Sequence, residues 1–279
     1  MLESFYYTSD LFQTTCYLYL AAFISYLAGL FWSKKVIGTI SLILFAIAFI
    51  TCTVLIVDRW IEAGRPPFKT FFESLMFAVW TTSLVSLAIE GRYRIRLIGL
   101  FSLIGILMII FYALPKRDIE TITLPPALQT WLFVPHVISY FLAYGALFVG
   151  GIAAFLHLVK PQGIKSHHSL GDQNTIDFNQ FTYEITKFGF LFLTIGLLLG
   201  AWWGQLAWSN YWGWDPKENW AFITWLIFAA YLHCRNLESI STRLLSWVVI
   251  AGVFAIVFTY LGMEMLPTAN DSLHVYSTD

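Results

Sequence analysis

Long apolar runs, each closed by a short polar or charged segment, recur along the whole chain. Eight of them, at residues 11–32, 37–57, 70–89, 97–114, 129–159, 184–206, 217–234 and 244–263, approach or exceed the roughly 20 residues a helix needs to cross a hydrocarbon core. Each is predicted as a helix, because open sheet leaves its backbone polar groups unsatisfied in lipid. The third starts among Lys69, Glu73 and Ser74, and the fifth is long enough to tilt or to project beyond the bilayer. The first is followed by further spans and reads as a membrane helix, not a cleaved signal peptide. The pattern predicts an all-α polytopic membrane protein: one membrane domain over residues 1–279, with no soluble domain and no strong internal repeat.

Composition agrees. Apolar residues make up 58% of the chain and charged ones 12%, against about a quarter charged in a soluble domain. A net charge of -1 argues against nucleic acid as a partner. Cys16, Cys52 and Cys234 stand far apart, which argues against a disulfide framework or a thiolate zinc site.

Charge also gives a sidedness, since Lys and Arg favour cytoplasmic loops. Eight spans put both termini on one side. Lys34, Lys35, Arg92, Arg94, Arg96, Lys160, Lys165, Lys187, Arg235 and Arg243 fall on the other. The termini share their side with Arg59, Arg65, Lys69, Lys116, Arg117 and Lys217. The bias is modest, but the compact block "EGRYRIR" adds to it. The expectation is that both termini, and the segment between spans six and seven, face away from the cytoplasm.

That segment, "AWWGQLAWSNYWGWDPKENW", carries Trp202, Trp203, Trp208, Trp212, Trp214 and Trp220. In "WDPKE", Asp215 suits a helix N-cap, Pro216 the first helical position and Glu218 the third, as in a capping box. The tryptophans have two readings. One is an interfacial aromatic belt. The other is a shelf for a flat, π-rich ligand, with indoles supplying rigid area and an N–H handle. A haem fits the second, and its propionates would meet Lys217 or the N–H groups of a helix start.

Imidazole suits iron, and the histidines sort by depth. His136 lies about 8 residues, roughly 12 Å, into span five from the tryptophan side. His274 lies just past span eight, on the same side. His233 is about 17 residues, roughly 25 Å, into span seven, at the opposite end. His157 is near the inner end of span five, and His167 and His168 are in the inner polar loop; snorkelling or local hydrogen bonding accounts for these three. His136 and His233 lie within spans, where an ionisable side chain is a functional candidate.

"WGQLAWSNYWGWDPKENW" resembles the tryptophan-rich WWD motif of the haem-handling proteins of cytochrome c biogenesis. Its "WDPKE" ending is similar to the CcsA/ResC type, the system II cytochrome c synthase subunit. "GRPPFKTFFESLMFAVW", "LPPALQTWLFVPHVISYFLAYGALFVGG" and "FTYLGMEMLPTANDSLHVY" resemble further segments of that family in the same order. Ser209, in "AWSNYW", stands where the family commonly has glycine, which lowers local backbone freedom. The first two spans carry no motif of the family.

The resemblance implies that haem b is bound as substrate. His136 and His274 are implied as outer iron ligands, and His233 as a membrane-embedded one. Trp202, Trp203, Trp208, Trp212, Trp214 and Asp215 are implied to shape the site, with no catalytic side chain. A ResB/CcsB-type membrane subunit would supply the partner of His233. Apocytochrome c would supply a C-x-x-C-H segment whose thiols add to the haem vinyl groups, within a cytochrome c synthase (haem lyase) complex in a bacterial cytoplasmic or thylakoid membrane. Three rivals stay open: a haem-binding regulator of tetrapyrrole synthesis, a b-type electron-transfer cytochrome pairing His157 with His233, and a transporter with an aromatic belt.

Overall fold

The structure, a computed structural model, describes residues 10–32, 35–115, 126–165 and 175–262. Within these residues the chain forms eight α-helices: α1 (Asp10–Phe31), α2 (Lys35–Ala63), α3 (Phe71–Tyr93), α4 (Arg96–Ala113), α5 (Phe133–Val159), α6 (Phe178–Trp208), α7 (Pro216–Cys234) and α8 (Thr242–Val257). A 3-10 turn, Pro126–Leu128, precedes α5, and a π-helical turn, Phe258–Gly262, extends α8. Two-residue strands, β1 (Ile164–Lys165) and β2 (Thr175–Ile176), pair antiparallel between α5 and α6. Among the described residues, seven helices are long and apolar enough to cross a membrane: α1 to α6, and α8 with its π-helical turn. The fold is thus a helical membrane fold. At the seventh expected span, α7 is helical but is not among these seven. Its 19 residues open on Lys217, Glu218 and Asn219, which leaves little apolar length.

The helices fall into two compact units, α1–α4 and α5–α8. In the first, polar groups cross between helices where each finds a partner, as burial requires. Tyr19 Oη and Ser83 Oγ are 2.9 Å apart, Trp80 Nε1–H donates to Thr53 Oγ1 at 2.8 Å, and Tyr26 Oη–H donates to Glu90 Oε2 at 2.6 Å. Gly99 makes room for Glu90, because a Cβ there would collide with the carboxylate. Before α3, Arg65 grips Glu73 with Nη1 at 2.9 Å and Nη2 at 3.1 Å, and Arg59 Nε adds a bond of 3.1 Å. The same carboxylate accepts the backbone N–H of Lys69 and of Thr70, while Thr70 Oγ1 caps Glu73 N. One buried anion therefore starts α3 and ties it to the loop before it.

In the second unit, α5 and α6 run antiparallel and face each other with small residues opposite large ones. A Cβ on Gly189 would stand 2.6 Å from Leu147 Cγ, and one on Gly196 2.8 Å from Tyr140 Cδ2. Glycine lets the two backbones approach, as at other packed membrane helices. Gly151 meets Val253 of α8, and Gly252 of α8 meets Phe228 of α7, in the same way. Trp225 Nε1–H donates to Thr194 Oγ1 at 2.9 Å, tying α7 to α6. Thr224 Oγ1 lies 3.2 Å from Thr259 Oγ1, tying α7 to the π-helical turn.

Candidate haem site

The tryptophan segment of the second unit is shaped by its helix ends. α6 stops at Ser209, which takes a left-handed conformation at φ 59°. α7 starts at Asp215, whose Oδ1 accepts Glu218 N at 2.8 Å. Glu218 Oε2 accepts back from Asp215 N at 3.2 Å and from Gly213 N at 2.8 Å. The capping box expected from "WDPKE" is present, with Pro216 at the start of the helix. Between the two caps, Trp214 also stands at positive φ, 57°, where a bulky side chain is an outlier.

The tryptophans separate by environment. Trp203 is 4% exposed. Its ring lies 5.8 Å from Phe133, 5.5 Å from His136 and 4.9 Å from Trp208. Trp202 is half exposed and meets Trp131 edge-on at 5.1 Å. Trp212 meets Trp214 and Phe222 edge-on, and its buried Nε1–H has no hydrogen-bond partner among the described residues. Trp214 is 67% exposed. Trp220 packs away from this group, 4.3 Å from Phe258.

His136 sits in the first turn of α5, half-buried. Its Nδ1 lies 2.9 Å from the carbonyl oxygen of Gly196 on α6. A carbonyl only accepts, so Nδ1 carries the proton. His136, Tyr140 and Tyr144, one turn apart along α5, line a cavity together with Gly200 of α6, Trp212, Lys217 and Glu218 of the α7 start, and Tyr260 of the π-helical turn. The structure thus brings His136 and Trp212 to one cavity, with Trp203 against the imidazole. Trp202, Trp208, Trp214 and Asp215 do not line it.

His233, the expected membrane-embedded ligand, lies elsewhere. His233 is in the last turn of α7, so about 25 Å of helix separates it from the α7 start. It is exposed, at the end of a stripe formed by Ile223, Leu226 and Ala230. His157 is buried, and its Nε2 lies 3.3 Å from Thr242 Oγ1 of α8. His274, His167 and His168 lie outside the described residues. The sequence reading missed the Gly196 carbonyl, the tyrosine ladder below His136 and the contribution of Tyr260. The first two had a signal: Gly196 and Gly200, like His136 and Tyr140, are four residues apart and share a helix face.

Residues 69–269 match the family model described as cytochrome C assembly protein. The chain is 35% identical to the cytochrome c biogenesis protein CcsA of Guillardia theta over 283 residues, which cover 92% of each chain. It is 33% identical to CcsA of Prochlorococcus marinus, over 80% of each chain. Among solved structures, the cytochrome c haem lyase CcmF superposes with a TM-score of 0.68 at 16% identity. That match covers 93% of this chain and about half (49%) of CcmF, and it is a likeness of fold. By the family match and the identity to CcsA proteins, the chain belongs to the cytochrome c assembly protein family.

Proposed function

We propose that this membrane protein acts in cytochrome c biogenesis by holding haem b as a substrate for thioether attachment to apocytochrome c. The observation that carries this reading is the meeting of His136 and the tryptophan segment at one cavity. Two features suit a porphyrin there. The unpartnered Trp212 N–H is a donor for a ligand acceptor, and the aromatic walls suit a flat π surface. His136 would bind iron, with His274 as the second axial ligand. Trp202, Trp203, Trp208, Trp214 and Asp215 would shape the surroundings, with Trp203 against the imidazole.

The chemistry asks for positioning more than for acid–base groups. Each thiol of C-x-x-C-H adds across a vinyl double bond: a C–S bond forms, the thiol hydrogen goes to the other vinyl carbon, and no net oxidation occurs. Holding haem beside the peptide makes that addition a proximity effect. The incoming histidine of C-x-x-C-H would take over one axial position and release the product. His233, exposed at the end of its stripe on α7, suits a station shared with a ResB/CcsB-type subunit whose helix supplies the second ligand. The Trp segment would face away from the cytoplasm, in a thylakoid or bacterial cytoplasmic membrane. A b-type pairing of His157 with His233 is disfavoured, because His157 is buried against Thr242 of α8 whereas His233 is exposed at the end of its stripe on α7.

The test is the absorption spectrum of the purified protein, with cytochrome c formed on co-expression with the partner and a C-x-x-C-H substrate. His136→Ala is expected to lose the bis-histidine signature and most product, with added imidazole restoring both. Wild-type product from His136→Ala without imidazole would remove the ligand assignment.

A further inference from the structure

We infer that Gly196 and Gly200 are positioning residues, which hold the His136 imidazole in one tautomer so that Nε2 is the nitrogen kept for coordination. This rests on the reading of His136 as a haem ligand.

Four contacts fix the ring. The Gly196 carbonyl, 2.9 Å from Nδ1, requires a proton on that nitrogen. In the neutral ring the lone pair is then on Nε2, and coordination needs a lone pair. Gly200 has no side chain to meet the imidazole: a Cβ there would stand 2.6 Å from Cε1 and 2.9 Å from Nδ1. The ring could not step aside, because Tyr140 lies edge-on at 5.0 Å and Trp203 lies at 5.5 Å. Gly196 in turn makes room for Tyr140, since its own Cβ would reach within 2.8 Å of that ring.

Helix stability alone does not favour this choice of residues. Glycine inside a helix costs about 1 kcal/mol relative to alanine, and α6 carries four, of which Gly196 and Gly200 stand one turn apart beside this ring. Both glycines face the ligand candidate or the ring beneath it. Donation from the far ring nitrogen to a backbone carbonyl is also how metal-binding histidines are commonly oriented, and it raises the basicity of the coordinating nitrogen.

Two measurements on the full-length protein in detergent test this. In the haem-free wild type labelled with ¹⁵N-histidine, His136 is expected to show a protonated Nδ1 and an unprotonated Nε2. The opposite tautomer would overturn the proposal without any variant. In the haem-loaded protein, Gly200→Ala is expected to lower haem affinity about 10- to 100-fold and to shift the spectrum towards that of His136→Ala, with imidazole restoring the low-spin bands. Gly189→Ala, which crowds the same helix pair at Leu147, is the control and should keep the wild-type spectrum. A wild-type spectrum and affinity in Gly200→Ala, or an equal loss in Gly189→Ala, would overturn the positioning role. If His136→Ala itself keeps the wild-type spectrum, the ligand assignment fails first, and that result is distinct from either of these.

Discussion

Ser209 and Trp214 both hold left-handed backbone, yet for different reasons. Ser209 ends α6, where its φ of 59° lets the chain turn back; its N–H still reaches Gln205 O. Glycine would do this without the roughly 1–2 kcal/mol cost of a left-handed L-residue. Trp214, at φ 57°, is strained and largely exposed, so packing does not explain its indole. Strain of this kind gathers at functional sites. Ser209→Gly and Trp214→Gly are each expected to raise the thermal midpoint by a few degrees, in line with about 1 kcal/mol of relief. Only Trp214→Gly should also weaken haem retention, read from haem bound per protein after washing. Unchanged retention in Trp214→Gly would mean that its indole does not touch the ligand.

At the scale of elements, the α5–α6 pair decides where the site stands. Large residues of α5 meet glycines of α6, so the register of the two helices is set by shape. In that register His136 Nδ1 lies 2.9 Å from the Gly196 carbonyl oxygen. Gly189→Ala should cost roughly 1–3 kcal/mol by overpacking against Leu147. Leu147→Ala alone should cost about 2–5 kcal/mol by opening a cavity. The double variant should recover part of the sum, with a coupling above about 0.5 kcal/mol, measured by thermal or denaturant unfolding in detergent. Strict additivity would mean that the two positions do not form a shared contact.

Across the molecule, each unit carries its own fixed point. In the first it is the Glu73 carboxylate, held by Arg65, Arg59 and two backbone N–H groups. Glu73→Ala leaves a buried guanidinium without its counter-ion, which costs about 3–5 kcal/mol when such a pair is broken. Sharply reduced folded yield is expected, with partial recovery when Arg65 is made apolar as well; a wild-type melt would show the clamp to be dispensable. In the second unit it is the cap at the start of α7, and this one was legible beforehand. Asp215, Pro216 and Glu218 are within four residues of one another, so their geometry follows from local sequence. The apolar runs were legible for a similar reason, because a membrane span is a property of about 20 consecutive residues. The tryptophan motif and its family resemblance were equally local. The seventh run, expected as a span, is helical but is not among the seven described helices long and apolar enough to cross, because Lys217, Glu218 and Asn219 at its start shorten its apolar length. What the sequence alone determined, then, was a helical membrane protein, the start of α7 and a tryptophan-rich candidate site, whereas α2 ends at Ala63 and α6 starts at Phe178, each six residues beyond the expected end. The tertiary structure decided which of those residues meet: Trp203 against His136, Trp212 at the cavity, and a backbone carbonyl 60 residues away selecting the tautomer. Such contacts depend on how two helices pack, and no single stretch of chain encodes the distance between them.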